Sequence, residues 1–233
     1  MLVKRTLILG DTGNLGLACT KVLLDANWEV VGLSRHAYPD LPKRKNLEHF
    51  ILTGLPGGGA ARFLDGQMIF DLVIFAQGMT MLKHIADLNT WDWEAVRQAN
   101  LDLCVHWTHL LSMGHLAQDG LIIYISSIQA THPRRQRLAY ATTKAAIEGL
   151  TRAAAADLAP YNRTVCLRLG QLTKQMQGIV FDPQQLDTMK SRACRPWIEP
   201  EEVARFILAL YNQPGMTGAV LDFDSGQNLN IWP

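Results

Sequence analysis

The stretch TLILGDTGNLGLACTKVLL, residues 6–24, decides the fold prediction. It begins with the apolar run Thr6–Gly10, which predicts a buried strand, and continues into Leu15–Asn27, which has the apolar spacing of a helix. A glycine-rich turn joins the two. A strand, a glycine turn and a helix in this order predict a βα unit whose helix N-terminus can face a phosphate group.

Each glycine of the turn has a separate predicted role. Gly10 lets the chain turn sharply off the strand, Gly13 leaves room for a pyrophosphate, and Gly16 lets the helix pack close to the strand. The alternative is a tight βα turn that binds no ligand. If the turn binds a dinucleotide, the expected contacts are Gly10, Thr12, Gly13, Asn14, Leu15 and Gly16.

Strands and helices alternate along the rest of the chain. Further strands are predicted at Glu29–Ser34, Phe50–Leu52, Asp71–Phe75, Leu121–Ile125, Thr164–Leu169 and Ala219–Phe223. Further helices are predicted at Thr90–Gly114, Ala139–Leu158 and Pro200–Tyr211, with a short one around Pro183–Cys194. This alternation predicts an α/β fold: a doubly wound, Rossmann-like parallel sheet of about seven strands flanked by helices, in a single domain over residues 1–233.

The composition limits the classes of partner. The net charge is +1, hydrophobic residues make up 48% and charged residues 18%, so we expect neither a nucleic-acid nor a membrane partner. The N-terminal apolar run is too short for a secretory segment and leads directly into the glycine loop, which predicts a first strand, no signal peptide and a cytoplasmic location. The scattered cysteines and histidines predict reduced thiols and no metal site.

The end of the second predicted strand bears on the choice of cofactor. Dinucleotide sites that bind NAD have an acidic residue there for the ribose 2′-hydroxyl, whereas this chain has Ser34 and Arg35. A guanidinium binds a 2′-phosphate, so the sequence favours NADP over NAD. The alternative is that Arg35 is a solvated loop residue. Asp11 lies inside the glycine turn and is expected to bond to turn amides or to a ribose hydroxyl.

The segment SSIQATHPRRQRLAYATTK, residues 126–144, carries the candidate chemistry. Tyr140 and Lys144 are four residues apart and share one face of a predicted helix. An ammonium group close to a phenol stabilises the phenolate, so Tyr140 can act as a general acid or base. Ser127 follows a predicted strand, at the sheet edge where α/β proteins bind ligands, and can hold a substrate oxygen.

These residues resemble the serine and the YxxxK motif of the short-chain dehydrogenase/reductase family. The resemblance implies hydride transfer between nicotinamide and a carbonyl carbon, with Ser127, Tyr140 and Lys144 as catalytic residues and Ser126 as the less favoured serine. It implies a fourth catalytic residue, Asn100 in VRQANLDL, which anchors a water that links the lysine to solvent. It also implies that Lys144 holds the nicotinamide ribose.

The resemblance extends over nearly the whole chain. FAQG (Phe75–Gly78) is similar to the family's Asn-Asn-Ala-Gly turn, LGQLT (Leu169–Thr173) takes the place of its Pro-Gly motif, and Met216–Gly226 resembles its last strand. The implied cofactor contacts here are Ala76, Gln77, Gly78, Gly170 and Leu172. Three features depart from the pattern: the glycine spacing is that of the extended and atypical branches, Leu169 replaces a proline, and the strand HFILTG lacks the acid that contacts adenine.

The substrate is the least determined part. The loop HPRRQR is either a solvated surface or a binding site for an anionic group, such as a carboxylate, a phosphate or a carrier protein's arm. Candidate substrate contacts are Met79, Arg134 and Arg135, and residues 171–196 are a predicted lid. Related proteins dimerise through the helix equivalent to Gly149–Ala159, which implies a homodimer or homotetramer.

Two other functions remain open. Epimerases and dehydratases of the extended branch share the glycine spacing and the YxxxK motif, although they have a longer substrate domain. A non-enzymatic dinucleotide sensor is the second alternative, although such proteins usually lack the tyrosine that this chain keeps. NADPH-dependent reduction of a carbonyl compound is the favoured reaction.

Overall fold

The computed structural model describes residues 3–36, 41–52, 68–174, 184, 187, 191 and 194–229. The strands are β1 (Arg5–Leu9), β2 (Glu29–Ser34), β3 (Leu47–Ile51), β4 (Phe70–Phe75), β5 (Leu116–Ser127), β6 (Arg163–Leu169) and β7 (Ala219–Phe223). The α-helices with bounds inside the described residues are α1 (Asn14–Asp25), α2 (Thr90–Arg97), α3 (Leu103–Ser112), α4 (Leu138–Leu158) and α5 (Pro200–Tyr211).

All seven strands pair in parallel in the order β3-β2-β1-β4-β5-β6-β7. The chain therefore moves outward in one direction from β1 to β3 and in the other from β4 to β7. This reversal between β1 and β4 opens a crevice at their carboxyl ends, where doubly wound folds bind ligands. The predicted doubly wound parallel sheet is confirmed.

Helices cover both faces of the sheet, which explains why its central strands are apolar at nearly every position. In β1, Ile8 packs into one core cluster with residues of α1 and α5. Its neighbours Leu7 and Leu9 pack into the opposite cluster, where Trp107 of α3 and Ile147 of α4 are buried. The second cluster fixes α4 against the sheet, and α4 carries Tyr140 and Lys144.

Two predicted strands differ from the structure by more than one residue at an end. β3 begins at Leu47, earlier than the predicted Phe50, because its first residues pair with β2 although several are exposed. β5 begins at Leu116, before the predicted Leu121. Its pairing with β4 is irregular there, and Asp119 has φ 60°, so the first part of β5 is not a regular strand.

The prediction of one continuous helix over Thr90–Gly114 is wrong. Two α-helices are separated by a π-helical segment, Gln98–Asp102. The wider turn lies around Asn100, which is fully buried. Such π segments inside helices occur frequently at functional sites because they redirect a side chain.

Much of the predicted lid 171–196 lies outside the described residues, as does most of the glycine-rich stretch 52–67. Gln184, Asp187 and Ser191 are helical, in agreement with the short helix predicted there. Within the described residues, no helix is both long enough and apolar enough to cross a membrane.

Candidate active site

The glycine turn has the backbone conformation that its sequence predicts. Gly10 has φ +85°, and a Cβ added there would lie 2.7 Å from the backbone nitrogen of Gln77. A Cβ on Gly16 would lie 2.0 Å from the carbonyl oxygen of Gly10, closer than any side chain allows. A Cβ added at Gly13 would lie 3.3 Å from that same carbonyl oxygen, a tight contact, so a side chain would also crowd this part of the turn.

The start of α1 completes an anion-binding cradle. Leu17 is the first residue whose N–H donates to the carbonyl oxygen of Gly13, at 2.8 Å. The preceding N–H groups, of Leu15 and Gly16, have no carbonyl oxygen of the helix to donate to. They carry the positive end of the helix dipole, which suits a pyrophosphate. Thr12, in the turn before them, is partly buried.

The end of β2 borders the same cradle. The Ser34 hydroxyl donates to the carbonyl oxygen of His36, at 2.7 Å. Arg35 is exposed and forms no ion pair with any residue that the structure describes. Its guanidinium is therefore available to an anion in solution.

Asp11 does not take the position that the sequence analysis expected for it. Its carboxylate is fully buried, with Oδ2 2.6 Å from His49 Nδ1 of β3, and it fills the space beside Gly32. Burial raises the pKa of Asp11 above its ordinary value, and His49 opposes that effect. The carboxylate thus lies beneath the turn, and a pyrophosphate in the cradle would not meet an exposed negative charge.

The turn after β4 lies against the glycine turn. Ala76 N–H donates to the carbonyl oxygen of Leu9, at 2.9 Å, and the backbone of Gln77 packs on Gly10. The Gln77 amide donates to Cys104 Sγ, at 3.2 Å, while Gly78 is exposed. Because the two turns touch, one ligand can contact both.

Asn100 fixes the loop that follows this turn. Its Oδ1 accepts from the backbone nitrogen of Met79, at 2.7 Å, and its Nδ2 donates to the carbonyl oxygen of the same residue, at 2.9 Å. Nδ2 also donates to Thr143 Oγ1 of α4, at 3.0 Å. Both amide hydrogens are therefore used by protein acceptors, and Asn100 connects the loop to the helix of Tyr140. Its predicted role as a water anchor stays a prediction.

Tyr140 and Lys144 lie on one face of α4, with the Lys144 ammonium 5.7 Å from the centre of the tyrosine ring. Lys144 is buried, and its Nζ donates to the carbonyl oxygen of Ile125 in β5, at 2.7 Å. Tyr140 is half-buried. A phenol beside a buried ammonium is an arrangement suited to proton transfer.

The two serines at the end of β5 have different environments. Ser127 is the last strand residue, and its Oγ accepts from the backbone nitrogen of Gln129, at 3.2 Å. Ser126 Oγ is buried and lies 2.9 Å from Glu148 Oε1 and 3.1 Å from the carbonyl oxygen of Lys144. Ser126 is therefore engaged inside the fold. No hydrogen bond joins Ser127 to Tyr140 within the described residues, so their predicted cooperation stays a prediction.

An ion-pair network supports α4 from the side of β6 and β7. Arg168 donates to both carboxylate oxygens of Glu148, at 2.9 and 2.8 Å, and to Asp222, at 2.7 Å. Burial would raise the pKa of Glu148, but the hydrogen bonds from Arg168 and Ser126 hold it below its usual value. The sequence does not predict this network, because the residues that form it are far apart in the chain.

The segment after β6 closes the other side of the crevice. Gly170 packs so tightly on Asp224 that an added Cβ would lie 2.7 Å from its Cα. Leu172 forms an isolated parallel bridge with Ile198, which anchors the base of the predicted lid. The two residues thus follow β6 at the carboxyl edge of the sheet.

The arginines of the HPRRQR loop are not equivalent. Arg135 is exposed, and Arg134 is partly buried, with its backbone nitrogen donating to Gln129 Oε1 at 2.8 Å. Arg137 is the buried one, at 9% exposure, and its guanidinium lies 6.0 Å from the Tyr140 ring centre. The sequence analysis included Arg137 in this loop but did not separate it from the other two arginines, since its burial depends on the tertiary fold.

The cysteines and histidines carry no competing chemistry in the described part of the chain. All four cysteines are free, and burial raises the pKa of Cys19, Cys104 and Cys166 to about 12. Among the described residues, no group of three potential ligands could hold a metal ion.

A family model described as enoyl-(acyl carrier protein) reductase matches residues 65–228. The chain belongs to the short-chain dehydrogenase/reductase family. It is 28% identical to the 3-oxoacyl-(acyl-carrier-protein) reductase of Chlamydia pneumoniae, over 96% of this chain and 96% of that protein. The predicted family is confirmed, and the chain is an oxidoreductase of a family that binds NAD(P)(H).

Solved structures of the family have the same fold. A short chain dehydrogenase family protein from Francisella tularensis has a TM-score of 0.87 and 20% identity, over 98% of this chain and 100% of that chain. A 4-hydroxyisoleucine dehydrogenase complexed with NADH has a TM-score of 0.86 and 22% identity, again over 98% of this chain and 100% of that chain. At these identities the structures establish the architecture alone.

Proposed function

We propose that this short-chain dehydrogenase/reductase is an NADPH-dependent carbonyl reductase that interconverts a ketone and an alcohol. The observation that carries the proposal is the position of Tyr140 and Lys144. Both lie on one face of α4, next to the end of β5, at the carboxyl edge that also holds the glycine cradle. This arrangement would put a proton donor beside a dinucleotide bound in the cradle, which supports the proposal.

The cradle fits a nicotinamide dinucleotide. The backbone at Gly13, which carries no side chain, and the N–H groups of Leu15 and Gly16 at the start of α1 would hold the pyrophosphate. Around the nicotinamide end we propose Ala76, Gln77, Gly78, Tyr140, Lys144, Gly170 and Leu172 as contacts. At the adenosine end, the exposed guanidinium of Arg35 would bind a 2′-phosphate, and the Ser34 hydroxyl would turn from the carbonyl oxygen of His36 to the same group, which supports NADP over NAD.

When bound, the cofactor supplies or accepts the hydride. In the reductive direction, the Tyr140 hydroxyl donates a proton to the oxygen of the substrate carbonyl. Lys144, held by the carbonyl oxygen of Ile125, stabilises the phenolate that remains. Ser127 orients the substrate oxygen, and Asn100 keeps Met79 in place beside the substrate. In the oxidative direction, the same phenolate accepts the alcohol proton.

Several further features stay proposals. We propose that residues 171–196 close over the substrate, since their base is fixed by the bridge between Leu172 and Ile198. The relative from Chlamydia pneumoniae is named for a carrier-bound substrate, and we extend that substrate class, alongside free small molecules, to this chain as a proposal. A single domain, a cytoplasmic location and a homodimer or homotetramer stay predictions of the sequence.

Titration of the protein with NADPH and NADH tests the cofactor assignment. Replacing Arg35 by alanine should weaken NADPH binding about tenfold or more, since a charged hydrogen bond is lost, and should leave NADH binding unchanged. Equal weakening of both would contradict the 2′-phosphate contact. Failure of the native chain to bind either nucleotide would contradict the proposed function itself.

Turnover separates the reductase from a dinucleotide sensor. Tyr140→Phe keeps the aromatic ring and removes the hydroxyl, so it should bind NADPH normally and reduce a panel of ketones at least about a hundredfold more slowly than the native chain. Tight NADPH binding by the native chain without turnover of any ketone would favour the sensor.

A further inference from the structure

Arg137 is a buried arginine next to the proposed proton donor. It directly precedes α4, is 9% exposed, and has its guanidinium carbon 6.0 Å from the centre of the Tyr140 ring. Arginine is almost never buried this deeply unless it is paired. The two other arginines of the same loop, Arg134 and Arg135, are more exposed.

No carboxylate accounts for this burial. The hydrogen bond recorded for the Arg137 guanidinium within the described residues runs from Nη1 to Thr80 Oγ1, and no ion pair includes Arg137. Lys83, whose backbone contacts the residue before Arg137, is itself paired with the carboxylate of Asp92, at 2.6 Å. Most of the guanidinium N–H groups therefore have no acceptor among the described residues.

The guanidinium is held in place before any ligand binds. Its partner Thr80 follows Met79, whose backbone is fixed on both sides by Asn100. On the other side, Lys83 N–H donates to the carbonyl oxygen of Gln136, at 3.2 Å, which ties the loop after β4 to the residue before Arg137. The side chain and its support thus belong to the active-site loop.

A guanidinium in this position is suited to a planar anion. A buried cation without a counter-ion is unfavourable, and burial lowers the pKa of Arg137, with Tyr140 opposing the effect. The hydrogen bond to Thr80 uses Nη1 of the guanidinium. Its Nε and Nη2 edge matches the two oxygens of a carboxylate, which arginine binds bidentately.

We propose that Arg137 binds a carboxylate of the substrate, and that the substrate is an oxo acid reduced to the corresponding hydroxy acid. This inference rests on the proposed reductase function. Since the guanidinium lies beside the Tyr140 ring, the carboxylate and the reacting carbonyl belong to the same small molecule. Arg137 then selects the substrate, and Tyr140 transfers the proton.

Acetoacetate and levulinate, each compared with its methyl ester, test the proposal because acid and ester differ in charge and little in shape. The native chain should prefer each acid in kcat/KM. Arg137→Met should lower kcat/KM for the acid about tenfold or more, mainly through KM, and leave the ester unchanged. Arg137→Lys keeps the charge and should recover part of the preference.

Arg135→Met removes the same charge from an exposed position of the same loop. If this variant, rather than Arg137→Met, loses the acid preference, the assignment to Arg137 is wrong. If Arg137→Met slows acid and ester equally, Arg137 only supports the loop, and the proposal fails.

Binding without turnover distinguishes the subsite from the reaction. Saturation-transfer NMR with levulinate and reduced cofactor should detect contact with the native chain and its loss in Arg137→Met. Retention of the contact in Arg137→Met overturns the proposal. If Arg137→Met loses the contact and the native chain reduces neither the acid nor the ester, the result supports the subsite and contradicts the reductase function.

Discussion

Gly16 is the residue whose size is most tightly limited in the cofactor turn. A Cβ at this position would lie 2.0 Å from the carbonyl oxygen of Gly10, which is backbone and cannot rotate away. We expect Gly16→Ala to lower the free energy of unfolding by about 1–3 kcal/mol and to weaken dinucleotide binding, because α1 must move off β1. Denaturant unfolding and nucleotide titration measure the two effects.

Gly215→Ala is the matched control for this substitution, since an added Cβ there would meet no atom within 4 Å. It should leave both the stability and the affinity near those of the native chain. If Gly16→Ala behaved like Gly215→Ala, the close packing of α1 on β1 would not be required for the cradle.

The roles of the glycines were easier to predict from the sequence than the surroundings of the charged side chains. The glycine turn could be interpreted because glycine itself reports a backbone need. Asp11 could not, because its partner His49 is 38 residues away and only β3 brings it under the turn. Arg137 and Arg135 are the same residue type in the same loop. Arg137 is buried because it contacts the loop after β4, which the sequence does not show.

At the level of elements, α4 is joined to β6 and β7 by the Glu148 ion-pair network. The pKa of Glu148 is below its ordinary value of 4.5 in the folded state, so the ionised carboxylate stabilises the fold. This contribution is complete above the ordinary value and is lost as the pH falls through the lowered one. Urea unfolding of the native chain should therefore show stability decreasing on acidification below about pH 4.5.

Glu148→Gln should be less stable than the native chain at neutral pH and should lose part of this acid dependence, since glutamine does not titrate. Asp157→Asn is the control: Asp157 is exposed on the same helix and forms no ion pair with a described residue. Parallel stability curves for the native chain and Glu148→Gln would show that the network does not stabilise α4.

At the scale of elements, β2 and β7 have the bounds that the sequence predicts. The π segment at Asn100 was missed because it contains neither proline nor glycine and keeps the helical composition on both sides. What widens the turn is the tertiary requirement that Asn100 reach Met79 and Thr143.

For the whole molecule, the exposed face of α4 tests the predicted oligomer. Thr142, Ala145 and Gly149 are exposed and small, at helical spacing that forms one stripe. We expect Gly149→Arg to convert the predicted homodimer or homotetramer to smaller species, because a long charged side chain prevents close helix packing. Arginine is a better helix former than glycine, so the helix itself should remain intact.

Light scattering after size-exclusion chromatography measures the change. Gly215→Arg adds the same side chain at an exposed position outside the helix and should leave the assembly unaltered. A monomeric native chain, or an unaltered assembly in Gly149→Arg, would contradict the prediction that this helix forms the interface.

The clamp of Asn100 on Met79 also affects how fast a ligand can bind. A loop that is already held by two hydrogen bonds and a buried side chain needs no rearrangement when a small molecule arrives. Association at this side of the crevice should then depend on diffusion and charge rather than on a slow conformational step. The loop loses its conformational entropy on folding, so ligand binding does not have to order it and its ordering does not weaken the affinity.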